Sequence, residues 1–470
     1  MRRATRATRA TRATRASRRP VDLTFALAIV LPLLVALALF LTNPGFGTGY
    51  FHPPTTPALT RATVVCPGSL GAGDQVGVGS TGSGEVTVTE QGTGQGGSSS
   101  ATVPADGVGV VSAGKAPIVI SASGATAPGL VATRSSTKPV AAASCVRPRS
   151  DQWFTGLGAG PTHDSHVVLV NPNPGPAIAD LTLLGDTGPL EVPALRGIAV
   201  PGNASQEIDL GAVTPTQSVL ALHAVVERGQ VAVAVRDAAT HLVGNATDED
   251  WLPAQSRPSR RALLLGLFTG GGTRQLTVAN PSDREVTASV RLVSANSVFT
   301  PENAPTLDLD PQSVARVDLS KLLGSADADG ALGIQLVATG AVTASLRSVV
   351  NGDVSLIARS QRTRAASTAI VPSGTKDLIV GAANRVGALT VVTRNAAGKQ
   401  LSSDRVAISP RQALKVSLPA GAVRVDVTPE RTAFRGSVVA HPHGGDAAVV
   451  PLTQLQLTSR VPFVKPGLPR

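Results

Sequence analysis

The chain repeats one sentence of strand grammar. "VNPNPGPAIADLTLLG", Val170–Gly185, and "ANPSDREVTASVRLVS", Ala279–Ser294, each read strand, Asn-Pro, polar turn, alternating strand, at an offset of 109 positions. Proline after asparagine sets a turn and stops the preceding strand. A second landmark keeps the same spacing: "IAVPGNASQEIDL" (Ile198–Leu210) lies 109 positions before "LDLDPQSVARVDL" (Leu307–Leu319). A third version, "VAISPRQALKVSL" (Val406–Leu418), follows further along. A hairpin then recurs as "GQVAVAVRD" from Gly229, "GAVTASLRS" from Gly340 and, more loosely, "RTAFRGSVV" from Arg431. One offset shared by separate landmarks requires tandem copies of a domain of about 100 residues, the size of a β-sandwich.

Short runs such as "EVTVTEQ", "SHVVLVN", "QVAVAVRD" and "TASVRLVSA" alternate or are β-branched, and Gly, Pro, Asn or Asp separate them. That is the pattern of half-buried strands. Only pieces such as "LSKLLG" (Leu319–Gly324) read as helical. The expected fold is all-β, with tandem immunoglobulin-like β-sandwich domains following one N-terminal transmembrane helix. The repeats are placed at 151–260, 261–365 and, as a degenerate copy without the Asn-Pro, 366–458. A glycine-rich unit at 63–150, only loosely similar to them, comes first.

"FALAIVLPLLVALALFL", Phe25–Leu41, carries no charge, and residues 21–42 are long enough for a membrane span of about 30 Å. Arginines precede it, which puts residues 1–20 in the cytoplasm and the remainder outside. A cleaved signal peptide would have an apolar core of about 7–15 residues and a small-x-small site. "TNPGFGTGYFHPP" offers no such site, so the sequence favours a retained anchor contacting membrane lipid through 21–42. The predicted localisation is the cell membrane, single-pass. Residues 43–62 read as a Pro/Gly/Thr-rich stalk and 459–470 as a tail.

The anchor also explains the charge. Of the formal +11, residues 1–22 hold +7, from eight arginines and Asp22, which leaves +4 over the rest. No basic surface interleaved with aromatics remains to bind nucleic acid.

Cys66 and Cys145 bound the first unit and are the only cysteines. Outside the membrane two lone cysteines are expected to form one disulfide. Closing a loop of that length stabilises by up to about 4.5 kcal/mol in the chain-entropy estimate. A redox site would want Cys-x-x-Cys and a zinc site more ligands.

His163 and His166, with Asp164 between them, have metal-like spacing, but no third ligand lies nearby in sequence, so solvated turn residues are expected. His441 and His443 read the same way. Ser-x-x-Lys occurs at Ser112, Ser135 and Ser373 without the companion motifs of penicillin-binding enzymes, so composition accounts for it. No catalytic, cofactor-binding or metal residue is assigned, and no cofactor is expected. Trp153 and Trp251 each follow a polar, acidic stretch at a unit junction, in "SDQWFTG" and "DEDWLPAQ". They are read as interdomain contacts or, alternatively, as stacking platforms for glycan.

The arginine-rich start, the single apolar helix, the Cys-bounded first unit, the Asn-Pro turns and "DWLP" together resemble an actinobacterial family of exported, membrane-anchored proteins of unknown function. The resemblance covers most of residues 20–460 and implies no catalytic residues. The functional expectation is a non-enzymatic, extracytoplasmic array presenting its surface to a cell-envelope protein or glycan. The alternatives are a glycan-binding accessory of envelope biosynthesis and a hydrolase with an unrecognised site.

Overall fold

The computed structural model describes residues 23–42, 55–92, 97–240, 247–268, 270–442 and 445–460. The basic tail 1–20, most of the stalk, His443 and nearly all of the C-terminal tail lie outside the described residues. Two units result, one comprising Met1–Pro57 with Arg460–Arg470 and the other Ala58–Ser459.

In the first unit, helix α1 spans Leu23–Thr42, with Pro32 inside it and no acidic or basic residue in its terminal turns. Twenty residues at 1.5 Å each give about 30 Å. Its described apolar side chains, from Leu27 to Leu41, are about half or more exposed. Counting only described side chains, which here are Thr24, residues 27–39 and Leu41, no helix is long and apolar enough to cross a membrane.

The second unit is all-β, a propeller-like ring of four blades. Blade 1 contains β1 (Arg61–Cys66), β2 (Gln75–Gly79), β3 (Gly84–Glu90), β4 (Ser98–Val103), β5 (Val108–Val111), β6 (Ile118–Ser123), β7 (Val131–Thr137) and β8 (Val140–Ser144). Its sheets have the orders β1-β6-β3-β4 and β5-β2-β7-β8, and valines and isoleucines from both close on one core.

Blade 2 contains β9 (Asp151–Gly160), β10 (His163–Asn171), β11 (Ala177–Gly185), β12 (Gly188–Leu190), β13 (Ile198–Val200), β14 (Ala204–Asp209), helix α2 (Leu210–Val213), β15 (Gln217–Arg228), β16 (Ala232–Thr240) and β17 (Thr247–Leu252). Blade 3 follows with β18 (Ser259–Leu265), β19 (Gly272–Asn280), β20 (Val286–Ser294), β21 (Val298–Phe299), β22 (Thr306–Leu309), β23 (Ser313–Asp318), helix α3 (Ser320–Leu323), β24 (Ala331–Val350) and β25 (Asp353–Ala358). Blade 4 has β26 (Ser367–Ile370), β27 (Thr375–Gly381), β28 (Gly387–Arg394), β29 (Gln400–Ile408), β30 (Ala413–Ser417), β31 (Arg424–Glu430), β32 (Arg435–His441), β33 (Ala448–Pro451) and β34 (Thr453–Gln454).

All four blades share one connectivity. With the short pieces β12/β13 and β21/β22, which lie along β11 and β20, each taken as one broken strand, the first strand pairs with the sixth (β1·β6, β9·β15, β18·β24, β26·β31) and the second with both the fifth and the seventh (β2·β5·β7, β10·β14·β16, β19·β23·β24, β27·β30·β32). Residues 63–150, only loosely similar in sequence, therefore share the connectivity of the three later copies, the degenerate one included. In blade 3 the sixth and seventh strands are one: residues 331–338 of β24 pair with β20 and residues 343–350 pair with β19. Blade 2 breaks the same strand into β15 and β16 near Gly229, which has φ +79°.

The buried asparagines explain the Asn-Pro motif. Asn171, fully buried at the end of β10, donates from Nδ2 to the carbonyls of Gly175, Val200 and Pro201 at 2.8–3.1 Å and accepts from Asn173 N–H. Asn280 does the same for Arg284, Leu309 and Asp310, and accepts from Ser282 N–H. Each side chain staples two turns and pairs one buried carbonyl, that of Val200 or Leu309. In blade 1 the position after β2 is Ser80, which bonds the carbonyls of Thr126 and Pro128 instead.

The expected row of self-contained domains is instead a closed circle. The last strands β8, β17, β25 and β33 pack one on the next around the centre. The ends of the unit meet, since Leu59 N–H donates to the Leu457 carbonyl at 3.0 Å and Ala58 bridges Thr458. The buried Arg424 of blade 4 ties the seam to blade 1, donating to the Ser80 carbonyl at 2.7 Å while held by Asp426. Apolar residues complete that seam, with Val108 and Val131 of blade 1 against Ile370 of blade 4.

Candidate functional site

The cysteines form the expected disulfide, Cys66–Cys145, which joins β1 to the residue after β8. Both tryptophans lie at seams and are 7% exposed. Trp153 stacks on His223 with centroids 4.0 Å apart, and it packs with Ala279 and Val314 of blade 3. Trp251 lines the seam to blade 1 beside Leu70, Arg134 and Ala141. Neither ring presents an open face on which a sugar could stack.

The histidine pair is divided. His163 and His166 are three apart on β10, and strand side chains alternate, so they fall on opposite faces. His163 turns inward. Its Nε2 lies 2.7 Å from Oδ1 of the fully buried Asp237, which also accepts from Ser165 Oγ at 2.7 Å and, on Oδ2, from Arg347 Nε of blade 3 at 2.9 Å. Burial pushes the Asp237 carboxyl up, but His163, Arg347 and Ser165 more than offset this and hold it below the ordinary range. Ser, His and Asp thus meet, but both Ser165 and His163 face the carboxylate. The serine hydroxyl donates to the carboxylate rather than to the imidazole, so the serine–histidine–aspartate order of a triad is not formed. The group is a buried tie between blades 2 and 3.

His166 turns outward with Asp164. Asp209, its cross-strand partner on β14, completes a set of three whose ligating atoms lie within 4.8 Å of one another. Nε2 of His166 is 3.1 Å from Asp164 Oδ2, and Nδ1 is 3.0 Å from Glu207 Oε1, which Arg236 Nη2 holds at 3.2 Å. Asp164 Oδ1 is buried and meets no donor. Asp209 Oδ1 accepts Ala212 N–H at 3.2 Å, capping α2. This is the set of residues best able to hold a metal among those described. Sequence spacing missed it because Asp209 is brought in by strand register, 43 positions after His166.

A second carboxylate group lies where the last strands meet. Asp248, Asp353 and Asp446 occupy matching positions in blades 2, 3 and 4, and two of them clasp the next blade: Asp248 Oδ2 accepts Val354 N–H at 2.5 Å, and Asp353 Oδ2 accepts Ala447 N–H at 2.9 Å. Asp250, buried, adds a bond from Leu356 N–H at 3.1 Å. Burial raises Asp248 and lifts Asp250 well above the ordinary range. Burial, with Asp248 and Asp446 nearby, pushes Asp353 up to about 8.

The other sequence candidates do not converge. Ser112 and Ser135 belong to blade 1 and Ser373 to blade 4. His441 bonds the Asp446 carbonyl from Nδ1 at 3.0 Å and meets the edge of Phe268.

Fold and site together define an all-β, four-bladed ring in which some buried polar groups, Asp237 with Arg347 and Arg424 with Ser80, join blade to blade. Residues 108–419 match the model of a family of unknown function, DUF5719, and the chain belongs to that family. The match begins at β5 of blade 1, contains blades 2 and 3 entire and ends just past β30 of blade 4. No curated protein matches the sequence.

Proposed function

We propose that this is a non-enzymatic, single-pass membrane protein whose ring is held outside the cytoplasmic membrane as a scaffold for cell-envelope partners. The carrying observation is α1, a twenty-residue helix without a charged residue whose centre, Phe25–Leu41, is apolar throughout, preceded by an arginine-rich tail. The ring supports the reading from its own side, because buried ionic groups such as Asp237 with Arg347 and Arg424 with Ser80 are spent on seams between blades, the arrangement of a rigid body that offers surface. Burial of Trp153 and Trp251 favours a protein partner over a glycan. Actinobacterial origin, suggested by the arginine-rich start and the Asn-Pro turns, belongs to the same proposal.

Each blade is a β-sandwich in this reading, two sheets facing across an apolar core. Its strand order sets it beside the immunoglobulin class without reproducing it. The first strand lies next to the sixth in every blade, and in blade 2 β9 also pairs with β10 over a short stretch, whereas the immunoglobulin order places the first strand next to the second alone.

Crosslinking in intact cells, followed by identification of the co-purifying components, tests the partner. Envelope proteins should be captured by the wild-type chain, and capture of lipid alone would overturn the reading. Protease treatment of intact cells tests the topology. The ring should be reachable from outside, and protection of the ring would place it on the other side.

A further inference from the structure

The internal repeat supplies a control for the Asp164–His166–Asp209 group. At the constant offset of 109, Asp209 becomes Asp318, His166 becomes Gln275, and the register agrees, since His166 faces Asp209 as Gln275 faces Asp318. Asp318 accepts Ser320 N–H at 2.7 Å at the start of α3, and Asp209 accepts Ala212 N–H at 3.2 Å at the start of α2. The aspartate bonded to the first helical N–H groups is therefore what the fold needs in both blades. The other members are not. Asp164 stands where blade 3 has Thr273, Glu207 where it has Arg316, and Gly211 where it has Ser320.

Three observations specific to blade 2 point to one occupant. Asp164 Oδ1 is buried without a donor, an arrangement that costs free energy unless a positive group meets it. A methyl group at Gly211 would sit 3.1 Å from both Asp164 Oδ1 and Asp209 Oδ1, so the glycine leaves open the spot on which two carboxylate oxygens converge. His166 reaches that group with Nε2 while Glu207 faces Nδ1, and Glu207 is braced by Arg236. Metal-bound histidines are oriented in this way, with the second ring nitrogen donating to a carboxylate.

We propose that Asp164, His166 and Asp209 bind a divalent transition cation, with Glu207 as the residue that positions His166. Two carboxylates and one imidazole suit Zn2+ or Mn2+, with a remaining position open to water. Bonds of about 2.0–2.2 Å put ligand atoms at most about 4.4 Å apart on one ion. The observed group, within 4.8 Å, closes on an ion through small side-chain movements.

Zn2+ titrated calorimetrically into chelator-treated full-length protein tests the site, with Mn2+ as a parallel probe. One equivalent should bind saturably and raise the thermal midpoint. The double variant Asp164→Thr with His166→Gln installs blade 3's own residues, which that scaffold already carries, and should fold by circular dichroism yet lose the bound equivalent. Glu207→Gln should keep the equivalent at about tenfold weaker affinity, as removal of an orienting carboxylate does elsewhere. Absence of saturable binding of either ion to the wild type, or binding unchanged in the double variant, would overturn the proposal. If the double variant fails to fold, His166→Gln alone decides between the same two outcomes.

Discussion

Blades 2 and 3 share their strand pairing and one buried asparagine each, yet differ in the residues around them. Asp237 of blade 2 is a fully buried carboxylate, and the matching residue of blade 3, paired at the same register, is Ser348. Asp164 and His166 have Thr273 and Gln275 as counterparts. What the two blades hold in common is what the fold requires: apolar alternation, the stapling asparagine and the aspartate at the start of the short helix. What only blade 2 holds serves a seam or a site. Duplication inside one chain thus separates structural from special residues without a second protein.

The largest test of that separation is at the seam. Asp237→Ala leaves His163 and Arg347 buried around a lost charge and should cost about 3–5 kcal/mol in chemical denaturation, whereas Ser348→Ala should cost far less. Equal costs would end the distinction. Because Asp237 is held below the ordinary range, its contribution is present above the unfolded carboxylate pKa and is lost as pH falls through the native one. The wild type should therefore lose more stability than Asp237→Ala on acidification.

Next in size are the asparagines. Asn171→Ala and Asn280→Ala each orphan a buried carbonyl and should cost about 1–3 kcal/mol apiece, by equal amounts if the two turns are truly the same. A clear inequality in their denaturation midpoints would show that one copy has taken on another role.

The smallest expected effect is at the axis, where Asp248 and Asp353 correspond. Asp353 titrates near 8 in the native state, above the unfolded carboxylate value of about 4. Its contribution is complete below the unfolded value, declines as pH rises and is gone above about 8. Thermal midpoints measured from pH 5 to 9 should fall with this trend, and Asp353→Asn should flatten it more than Asp248→Asn does.

The β class and the tandem repeat were legible because both are written locally, in alternation, in Asn-Pro and in a fixed offset. The disulfide was legible from two cysteines alone. Blade 1 was harder to recognise because Ser80 replaces the stapling asparagine with a different bond pattern. Ring closure was not legible, since it rests on Leu59 meeting Leu457 from opposite ends of the chain. The metal-ligand group escaped for a related reason. Sequence proximity joined His163 to His166, which strand alternation parts, and hid Asp209, which antiparallel pairing supplies.

Closing the circle with its own two ends has a mechanical consequence. A pull on Ala58 against Thr458 meets the short pairing between them before it can reach any blade. Until that clasp slips, the load bypasses the sheets, and the surfaces they display keep their shape under tension.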